Sequence, residues 1–282
     1  MRCQWHAFIN LLPPRLREQV DRQGKDQLLE LRLRIGLQPE LVMLHGSIWL
    51  KETISKEDIN FCINAASKYS PWSASTASQG YISAPGGHRL GICGATTVIN
   101  GVCTGISSAT SLCIRVARDI PGISGNLPGK LCSILIIGPP GSGKTTFLRD
   151  LIRRFSDAGQ GSIAVIDERG ELFPSIQQKS CFPTGERTDI LTGCGKQKGI
   201  EMLIRCMGPT AIAVDEITAE EDCNALLLAG WCGVKIFATA HAADRADLYK
   251  RQVYRPLIET KLFDMLVVLQ QDKSWRMERI ES

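Results

Sequence analysis

A nine-residue segment rich in glycine and hydroxyl side chains carries the clearest chemical signal in the sequence. It reads GPPGSGKTT from Gly138 to Thr146 and fits the pattern G-x-x-x-x-G-K-[ST] in full. Glycines allow a tight turn in which several backbone N–H groups converge on an anion. Lys144 would reach the β- and γ-phosphates, and the Thr145 hydroxyl would bind Mg²⁺. The segment predicts a nucleoside triphosphate site formed by Gly138, Pro139, Pro140, Gly141, Ser142, Gly143, Lys144, Thr145 and Thr146.

The residues on both sides of this phosphate loop predict a strand before it and a helix after it. The preceding run, residues 134–137, is apolar and β-branched, and residues 146–152 have apolar side chains at helical spacing. The helix N-terminus would add partial positive charge at the phosphates. The alternative, a glycine- and proline-rich turn that fits by chance, leaves both flanks unexplained. We expect the Lys144 side chain to face solvent when no nucleotide is bound.

Two carboxylates, Asp215 and Glu216, follow an apolar strand predicted over residues 211–214. Ligands of a parallel sheet gather at the carboxyl ends of its strands, so this pair should face the phosphates. Asp215 is suited to hold Mg²⁺, and Glu216 is suited to orient or deprotonate the attacking water. The alternative is that the pair belongs to the start of a helix, because Thr218 and Glu221 fit a capping box.

Two further apolar runs end in polar residues. Residues 163–166 are followed by Asp-Glu-Arg at 167–169, which is a solvated loop in the simplest interpretation. Two acidic strand ends in one sheet are stronger evidence for a site. Residues 234–238 are followed by Thr239 and His241, a hydroxyl and an imidazole placed where a γ-phosphate could be sensed. A single histidine is more often structural, so both interpretations of His241 stay open.

Arginines are the candidates for stabilising charge in a phosphoryl-transfer transition state. Arg115 and Arg118 stand out because they immediately precede the hinge-like residues 119–122. One of them could close over the γ-phosphate as an arginine finger, from its own subunit or from a neighbour. The alternative is an ordinary surface ion pair, worth about 0–1 kcal/mol. Further candidates are Arg169, Arg187 and Arg205.

The length and the patterning of the chain predict two domains. The chain has 282 residues, of which 44% are hydrophobic, enough for a full core. Residues 1–120 contain alternating strands such as 29–35, a hairpin at 41–50, a helix over 55–70 and a turn at Asn100-Gly101, which together predict a small α+β domain with antiparallel pairing. Residues 121–282 alternate short apolar strands with helices, which predicts a parallel sheet covered on both faces.

Composition excludes several classes of protein. The formal net charge of +4 is too small to indicate nucleic-acid binding by itself. We expect no membrane span and no secretion signal, since no apolar run approaches about 18 residues. The eleven cysteines are scattered without a C-x-x-C pair, so we expect reduced, mostly buried thiols in a cytoplasmic protein.

These motifs, in this order, resemble the stage III sporulation protein AA family. That family is itself similar to the ring ATPases of type II and type IV secretion and of pilus retraction. The resemblance covers nearly the whole chain. The segments that carry it, besides the phosphate loop, are LRLRIG at 31–36, APGGHRLG at 84–91, IRVAR at 114–118, IDER at 166–169, RTD at 187–189, LIR at 203–205 and ATAH at 238–241.

The resemblance implies an N-terminal sensing domain hinged to a RecA-like P-loop NTPase domain, with ATP and Mg²⁺ as ligands. It implies self-association into a hexameric ring and a peripheral position at the cytoplasmic face of a membrane, bound to integral membrane proteins of a sporulation channel. The acidic box of such ATPases is matched by Asp167 and Glu168, and the histidine box by His241. Two departures exist: Asp215 stands where pilus-type members have glycine, and Ala242 follows the histidine where the sporulation family often has glycine.

We interpret the chain as a P-loop ATPase that drives or assembles a trans-envelope, secretion-like complex during endospore formation. An ATP-gated scaffold with little turnover is one alternative, although Glu216 beside Asp215 argues against it. A RecA-like nucleic-acid translocase is another, although the sequence has no basic stripe with interleaved aromatic residues, and we expect no nucleic-acid partner. A GTPase would need an N-K-x-D motif, which the sequence lacks.

Overall fold

The chain divides into two compact units in a computed structural model that describes residues 2–67, 80–125, 127, 129–176 and 179–280. The first unit is Met1–Arg118 together with Pro174–Cys181, and the second is Asp119–Phe173 together with Phe182–Ser282. The sequence predicted a domain boundary after residue 120. The segment Pro174–Cys181, which the sequence assigned to the second domain, belongs to the first unit.

The first unit is an α+β unit built on an antiparallel sheet. Its helices are α1 (Trp5–Asn10), α2 (Pro14–Arg22) and α3 (Lys56–Ser67), and its strands are β1 (Leu28–Arg34), β2 (Glu40–Met43), β3 (Gly46–Trp49), β4 (Tyr81–Ser83), β5 (Arg89–Ile99) and β6 (Val102–Arg115). The six strands lie in the order β3-β2-β1-β6-β5-β4. A separate hairpin pairs β9 (Ser175–Ile176) with β10 (Lys179–Ser180).

Local sequence signals explain the elements of this unit. In β1 the leucines at 28, 31 and 33 are fully buried. At the start of α3, Ser55 and Asp58 each accept a hydrogen bond from the other's backbone N–H, which is the reciprocal pattern of a capping box. Asn100 and Gly101 both have positive φ, as a two-residue hairpin turn requires. The predicted end of α3 at residue 70 lies outside the described residues.

The second unit is built on a seven-stranded sheet. Its strands are β7 (Ile134–Ile137), β8 (Ile163–Asp167), β11 (Thr188–Thr192), β12 (Ala211–Val214), β13 (Lys235–Ala240), β14 (Met265–Leu269) and β15 (Trp275–Arg279). Its helices are α4 (Lys144–Asp157), α5 (Lys196–Met207), α6 (Glu220–Trp231), α7 (Arg245–Lys250) and α8 (Arg255–Glu259). The strand order is β11-β8-β12-β13-β7-β14-β15, and every pair is parallel except β14 with β15.

Both faces of the five inner strands of this sheet are buried, which explains their unbroken apolar runs in the sequence. Ile134 and Ile136 of β7 belong to one hydrophobic cluster, while Leu135 and Ile137 belong to another. Alternate side chains of a strand point to opposite faces, so a strand covered on both sides must be apolar at every position. The predicted strands of the second domain are confirmed.

Strand order and register decide which residues meet at the carboxyl edge of the sheet. β13 lies between β12 and β7. Val214 is paired with Ala238, and Ile137 is paired with Ala240. The next residues along therefore lie abreast: Asp215 beside Thr239, and Gly138 beside His241.

Composition led us to expect no membrane span and mostly buried cysteines. Within the described ranges, no helix has the length and apolar character of a bilayer span. All eleven cysteines are free thiols, but only Cys62 and Cys223 are buried, and four are exposed. The expectation of mostly buried thiols is therefore wrong, since many of these cysteines lie on strand and helix faces that the core does not cover.

Candidate functional site

The phosphate loop connects β7 to α4 in a conformation that depends on its glycines. A Cβ atom at Gly138 would lie 2.6 Å from Ser142 Oγ and 2.8 Å from the Leu269 carbonyl oxygen. Gly141 and Gly143 have φ values of 73° and 101°, in the region that disfavours side chains. The hydroxyl of Ser142 is buried and has no hydrogen-bond partner among the described residues. The phosphate loop is thus a glycine cradle that also holds a buried hydroxyl without a hydrogen-bond partner among the described residues. Both features fit an anion-binding site.

Lys144, the first residue of α4, is buried rather than solvent-facing, with 8% of its surface exposed. Its Nζ donates to the carbonyl oxygens of Gly138 at 2.8 Å and Pro139 at 3.1 Å, and it lies 3.2 Å from His241 Nδ1. Burial lowers the pKa of Lys144, which Asp215 and Glu216 oppose through their charge. The expectation of a solvent-facing lysine is wrong because backbone carbonyls of the phosphate loop accept hydrogen bonds from the ammonium.

Asp215 and Thr145 meet although 70 residues separate them in sequence. The Thr145 hydroxyl donates to Asp215 Oδ2 at 2.7 Å. A hydroxyl and a carboxylate at this distance form the hard oxygen pair that Mg²⁺ prefers. The two residues predicted to hold the metal are therefore together and fit the ion. Thr145 lies on α4, and Asp215 directly follows β12.

Glu216 follows Asp215 in an unusual backbone conformation, with φ of 55°. Its Oε1 lies 3.2 Å from His241 Nε2, and its Oε2 accepts from Arg169 Nη1 at 3.1 Å. An ammonium can only donate, so His241 accepts from Lys144 at Nδ1 and donates to Glu216 from Nε2. One hydrogen-bonded chain thus runs from Lys144 through His241 to Glu216 and Arg169.

Thr239 is fully buried between these groups. Its hydroxyl accepts from the Glu216 backbone N–H at 2.7 Å and donates to Asp215 Oδ1 at 2.6 Å. The single hydroxyl proton is therefore already given to Asp215, and Thr239 is not available to sense a phosphate.

The predicted acidic box has a different environment. Asp167 is 3% exposed and accepts from the backbone N–H groups of Glu171 and Phe173, each at 2.8 Å. Burial raises the pKa of Asp167 to about 6. Glu168 accepts from Lys196 Nζ at 2.7 Å. The carboxylates of residues 167, 168, 215 and 216 line one cleft, so the two acidic strand ends do lie together.

Several residues that support the site were not indicated by any motif in the sequence. Tyr254 accepts from the His241 N–H at 3.3 Å and donates to the Ile217 carbonyl at 3.2 Å, which connects the two loops that carry His241 and Glu216. Lys273 donates to the Gly141 carbonyl of the phosphate loop. Arg149 is buried on α4 and donates to the carbonyls of Glu171 and Leu172, and burial lowers its pKa to about 10. Their partners are backbone atoms distant in sequence, which no local motif reveals.

Arg115 and Arg118 belong to the first unit. Arg115 is exposed and pairs with Glu30 at 3.2 Å. The Arg118 guanidinium donates to the backbone carbonyls of Lys25 and Leu28, and burial lowers its pKa. Both arginines thus have partners within their own unit, and the arginine-finger role stays a prediction.

Comparison with known proteins gives the family of the chain. The family described as "Sporulation stage III, protein AA" matches residues 4–279. The chain belongs to this family. Stage III sporulation protein AA of Bacillus subtilis (strain 168) is 34% identical over 281 residues, which cover 95% of this chain and 92% of that protein. The chain is also 23% identical to SEEDLING PLASTID DEVELOPMENT 1 of Arabidopsis thaliana, over 89% of this chain and 36% of that protein.

Solved structures place this member of the sporulation stage III AA family among RecA-like secretion ATPases in fold. The pilus retraction motor PilT with bound ADP matches with a TM-score of 0.62 at 14% identity, covering 94% of this chain and 83% of that one. The ATPase DotB of Legionella pneumophila matches with a TM-score of 0.57 at 14% identity, covering 86% and 72%. The predicted fold class is confirmed: a RecA-like P-loop NTPase fold preceded by a smaller α+β unit.

Proposed function

We propose that this protein binds ATP with Mg²⁺ and hydrolyses it to ADP and phosphate. The observation that carries the proposal is the 2.7 Å contact between the Thr145 hydroxyl and Asp215 Oδ2, directly behind the phosphate loop. It brings the two predicted metal-binding side chains together next to a glycine cradle that fits an anion. The similarity in fold to the ATPase DotB supports the same activity.

Each residue of the site has a role in this reaction. The phosphate loop N–H groups and Lys144 bind the phosphates, so nucleotide must compete with the Gly138 and Pro139 carbonyls for the lysine ammonium. Thr145 and Asp215 would hold Mg²⁺, which supplies charge neutralisation on the phosphate oxygens. Glu216 orients a water and takes its proton as the water oxygen bonds to the γ-phosphorus and the bond to ADP breaks.

We propose that this ATP hydrolysis drives or assembles a trans-envelope complex during endospore formation. Ring assembly, a hexameric state, integral membrane partners and a peripheral position at the cytoplasmic face of a membrane are part of the proposal. The matching family and the ring ATPases that it resembles support it.

Removal of the Lys144 charge tests nucleotide binding. Lys144→Ala should abolish ATP binding or turnover, because the charge that neutralises the phosphates is lost. The measurements are affinity for a fluorescent ADP analogue and ATP turnover, with a thermal melt as the control for folding because Lys144 is buried. Lys144→Arg is the matched variant that keeps the charge. Unchanged affinity together with unchanged turnover would contradict the proposed function.

An ATP-gated scaffold with little turnover is a second candidate, favoured by the engagement of both Glu216 oxygens with His241 and Arg169. In that arrangement Glu216 is not free to accept a proton from water. ATP turnover measured against protein concentration, with sedimentation alongside, separates the two. Turnover that rises with assembly supports the ATPase, and nucleotide binding without turnover at every assembly state supports the scaffold.

A further inference from the structure

We propose that Thr239 is a positioning residue that aligns both carboxylates at the end of β12. The inference rests on the proposed function, because it assigns Thr239 a part in the magnesium–nucleotide site. Register brings Thr239 abreast of Asp215, since Val214 and Ala238 are paired on adjacent parallel strands. Its hydroxyl acts through Asp215 and Glu216, the two residues that it binds.

The directions of the two hydrogen bonds of Thr239 are determined by their partners. A backbone amide only donates, so the hydroxyl accepts from Glu216 N. An ionised carboxylate only accepts, so the hydroxyl donates its one proton to Asp215 Oδ1. Since the side chain is fully buried, no solvent competes for either bond.

The bond to Asp215 orients the carboxylate toward the phosphate loop. With Oδ1 held at 2.6 Å by Thr239, Oδ2 is directed at the Thr145 hydroxyl, 2.7 Å away. The carboxylate is thus held by one hydroxyl from the neighbouring strand and one from α4. Loss of the Thr239 hydroxyl would leave Oδ1 without its donor and allow the carboxylate to turn away from Thr145.

The bond to the Glu216 backbone holds a conformation that side-chain-bearing residues rarely adopt. Glu216 has φ of 55°, in the left-handed region, which must be stabilised by its surroundings. Thr239 supplies two anchors there: its hydroxyl binds Glu216 N, and its carbonyl oxygen accepts from Ile217 N at 2.8 Å. This turn directs the Glu216 side chain at His241 and Arg169.

The competing explanation is that the hydroxyl only satisfies a buried amide and contributes to stability. Ser133 provides the matched case, because its buried hydroxyl accepts from Ile236 N at 3.2 Å at the opposite end of the same strand, β13. If the Thr239 and Ser133 hydroxyls act only through stability, removing either one should have the same kind of effect. A positioning role instead predicts an effect on magnesium and turnover that Ser133 lacks.

The test compares Thr239→Val, Thr239→Ser and Ser133→Ala in the full chain. The measurements are the affinity for a fluorescent ADP analogue with and without Mg²⁺, the Mg²⁺ concentration at half-maximal binding, steady-state ATP turnover and a thermal melt. For Thr239→Val we expect a Mg²⁺ midpoint about 10-fold higher or more and a kcat about 10²-fold lower, with metal-free ADP affinity unchanged. Thr239→Ser keeps the hydroxyl and should have the wild-type Mg²⁺ midpoint and kcat. Ser133→Ala should lower only the melting temperature.

Two outcomes overturn the inference. If folded Thr239→Val keeps the wild-type Mg²⁺ midpoint and kcat, Thr239 is structural while the proposed function stands. If the wild-type protein itself shows neither Mg²⁺-dependent nucleotide binding nor turnover, the proposed function fails and this inference fails with it. Should Thr239→Val not fold, Thr239→Ala removes the same hydroxyl in a smaller side chain, and a wild-type Mg²⁺ midpoint in that folded variant would overturn the inference equally.

Discussion

The ends of β8 and β12 carry the same dipeptide, Asp-Glu, at neighbouring positions of one sheet. Ile166 and Val214 are paired, so Asp167 and Asp215 lie abreast. Asp167 accepts hydrogen bonds from backbone N–H groups of the loop that follows it. Asp215 accepts them from two hydroxyls, one on α4 and one on β13. Both residues are aspartates, so their hydrogen-bond donors distinguish them. Asp167 holds the backbone of a loop, whereas Asp215 lies beside a second hard oxygen, the Thr145 hydroxyl, with which it would hold a metal under the proposed function.

The glutamates differ in the same way. Glu168 accepts from Lys196, which also lies 3.7 Å from Asp222. Glu216 is turned by its left-handed backbone toward His241, and through His241 it is connected to the lysine of the phosphate loop. Under the proposed function, Glu216 can act on the nucleotide because the neighbouring strand β13 supplies the contacts that orient it, whereas Glu168 has no such contact with β13 among the described residues.

The largest expected effect separates the two glutamates. Glu216→Gln keeps shape and hydrogen bonding but removes the base, so ATP turnover should fall about 10²- to 10⁴-fold while nucleotide still binds. Glu168→Gln is the matched control on the neighbouring strand and should leave turnover within about twofold, since the Glu168 side chain is half-exposed and Lys196 still has Asp222 at 3.7 Å. Steady-state turnover and nucleotide binding measure both variants. Equal losses in the two, or full turnover in Glu216→Gln, would remove the distinction.

The buried carboxyl of Asp167 predicts a pH dependence of the free energy of unfolding. Burial raises the pKa of Asp167 from 3.8 to about 6, so between these values the folded protein holds a proton that the unfolded chain has released. Its contribution to stability therefore declines as pH rises from about 4 to 6, by up to about 3 kcal/mol, and is constant above. Asp167→Asn lacks this titration. Urea unfolding of both proteins at pH 4.5 and pH 7 measures the difference, and parallel pH profiles would show that Asp167 titrates as an exposed carboxyl.

The smallest expected effect concerns Arg169, which pairs with Glu216 Oε2 in a half-exposed ion pair. Such pairs are worth about 0–1 kcal/mol, so Arg169→Ala should release Glu216 and raise the basal turnover of the unassembled protein by up to about fivefold. Turnover at low protein concentration, checked by sedimentation, measures this. Lower turnover in Arg169→Ala would instead assign the arginine to transition-state stabilisation.

Local sequence patterns predicted most of the elements of the second unit and part of its site. The five inner strands follow from apolar runs, and the phosphate loop follows from a motif of nine residues. Asp215, the partner of Thr145, follows from its place at the end of an apolar strand. The exposure of Lys144 was predicted wrongly, because its acceptors are carbonyls of a loop whose conformation the residue types do not specify. Tyr254 and Lys273 were missed for a related reason, since they act on backbone atoms far away in the chain.

The sequence alone determined which side chains are available for phosphate and metal chemistry, because composition and periodicity act over a few residues. Only the tertiary structure decided how they combine. The insertion of β13 between β7 and β12 brings Thr239 beside Asp215 and His241 beside the phosphate loop. Strand order depends on long-range packing. Because the inner strands are all short apolar runs, no local pattern distinguishes one strand order from another.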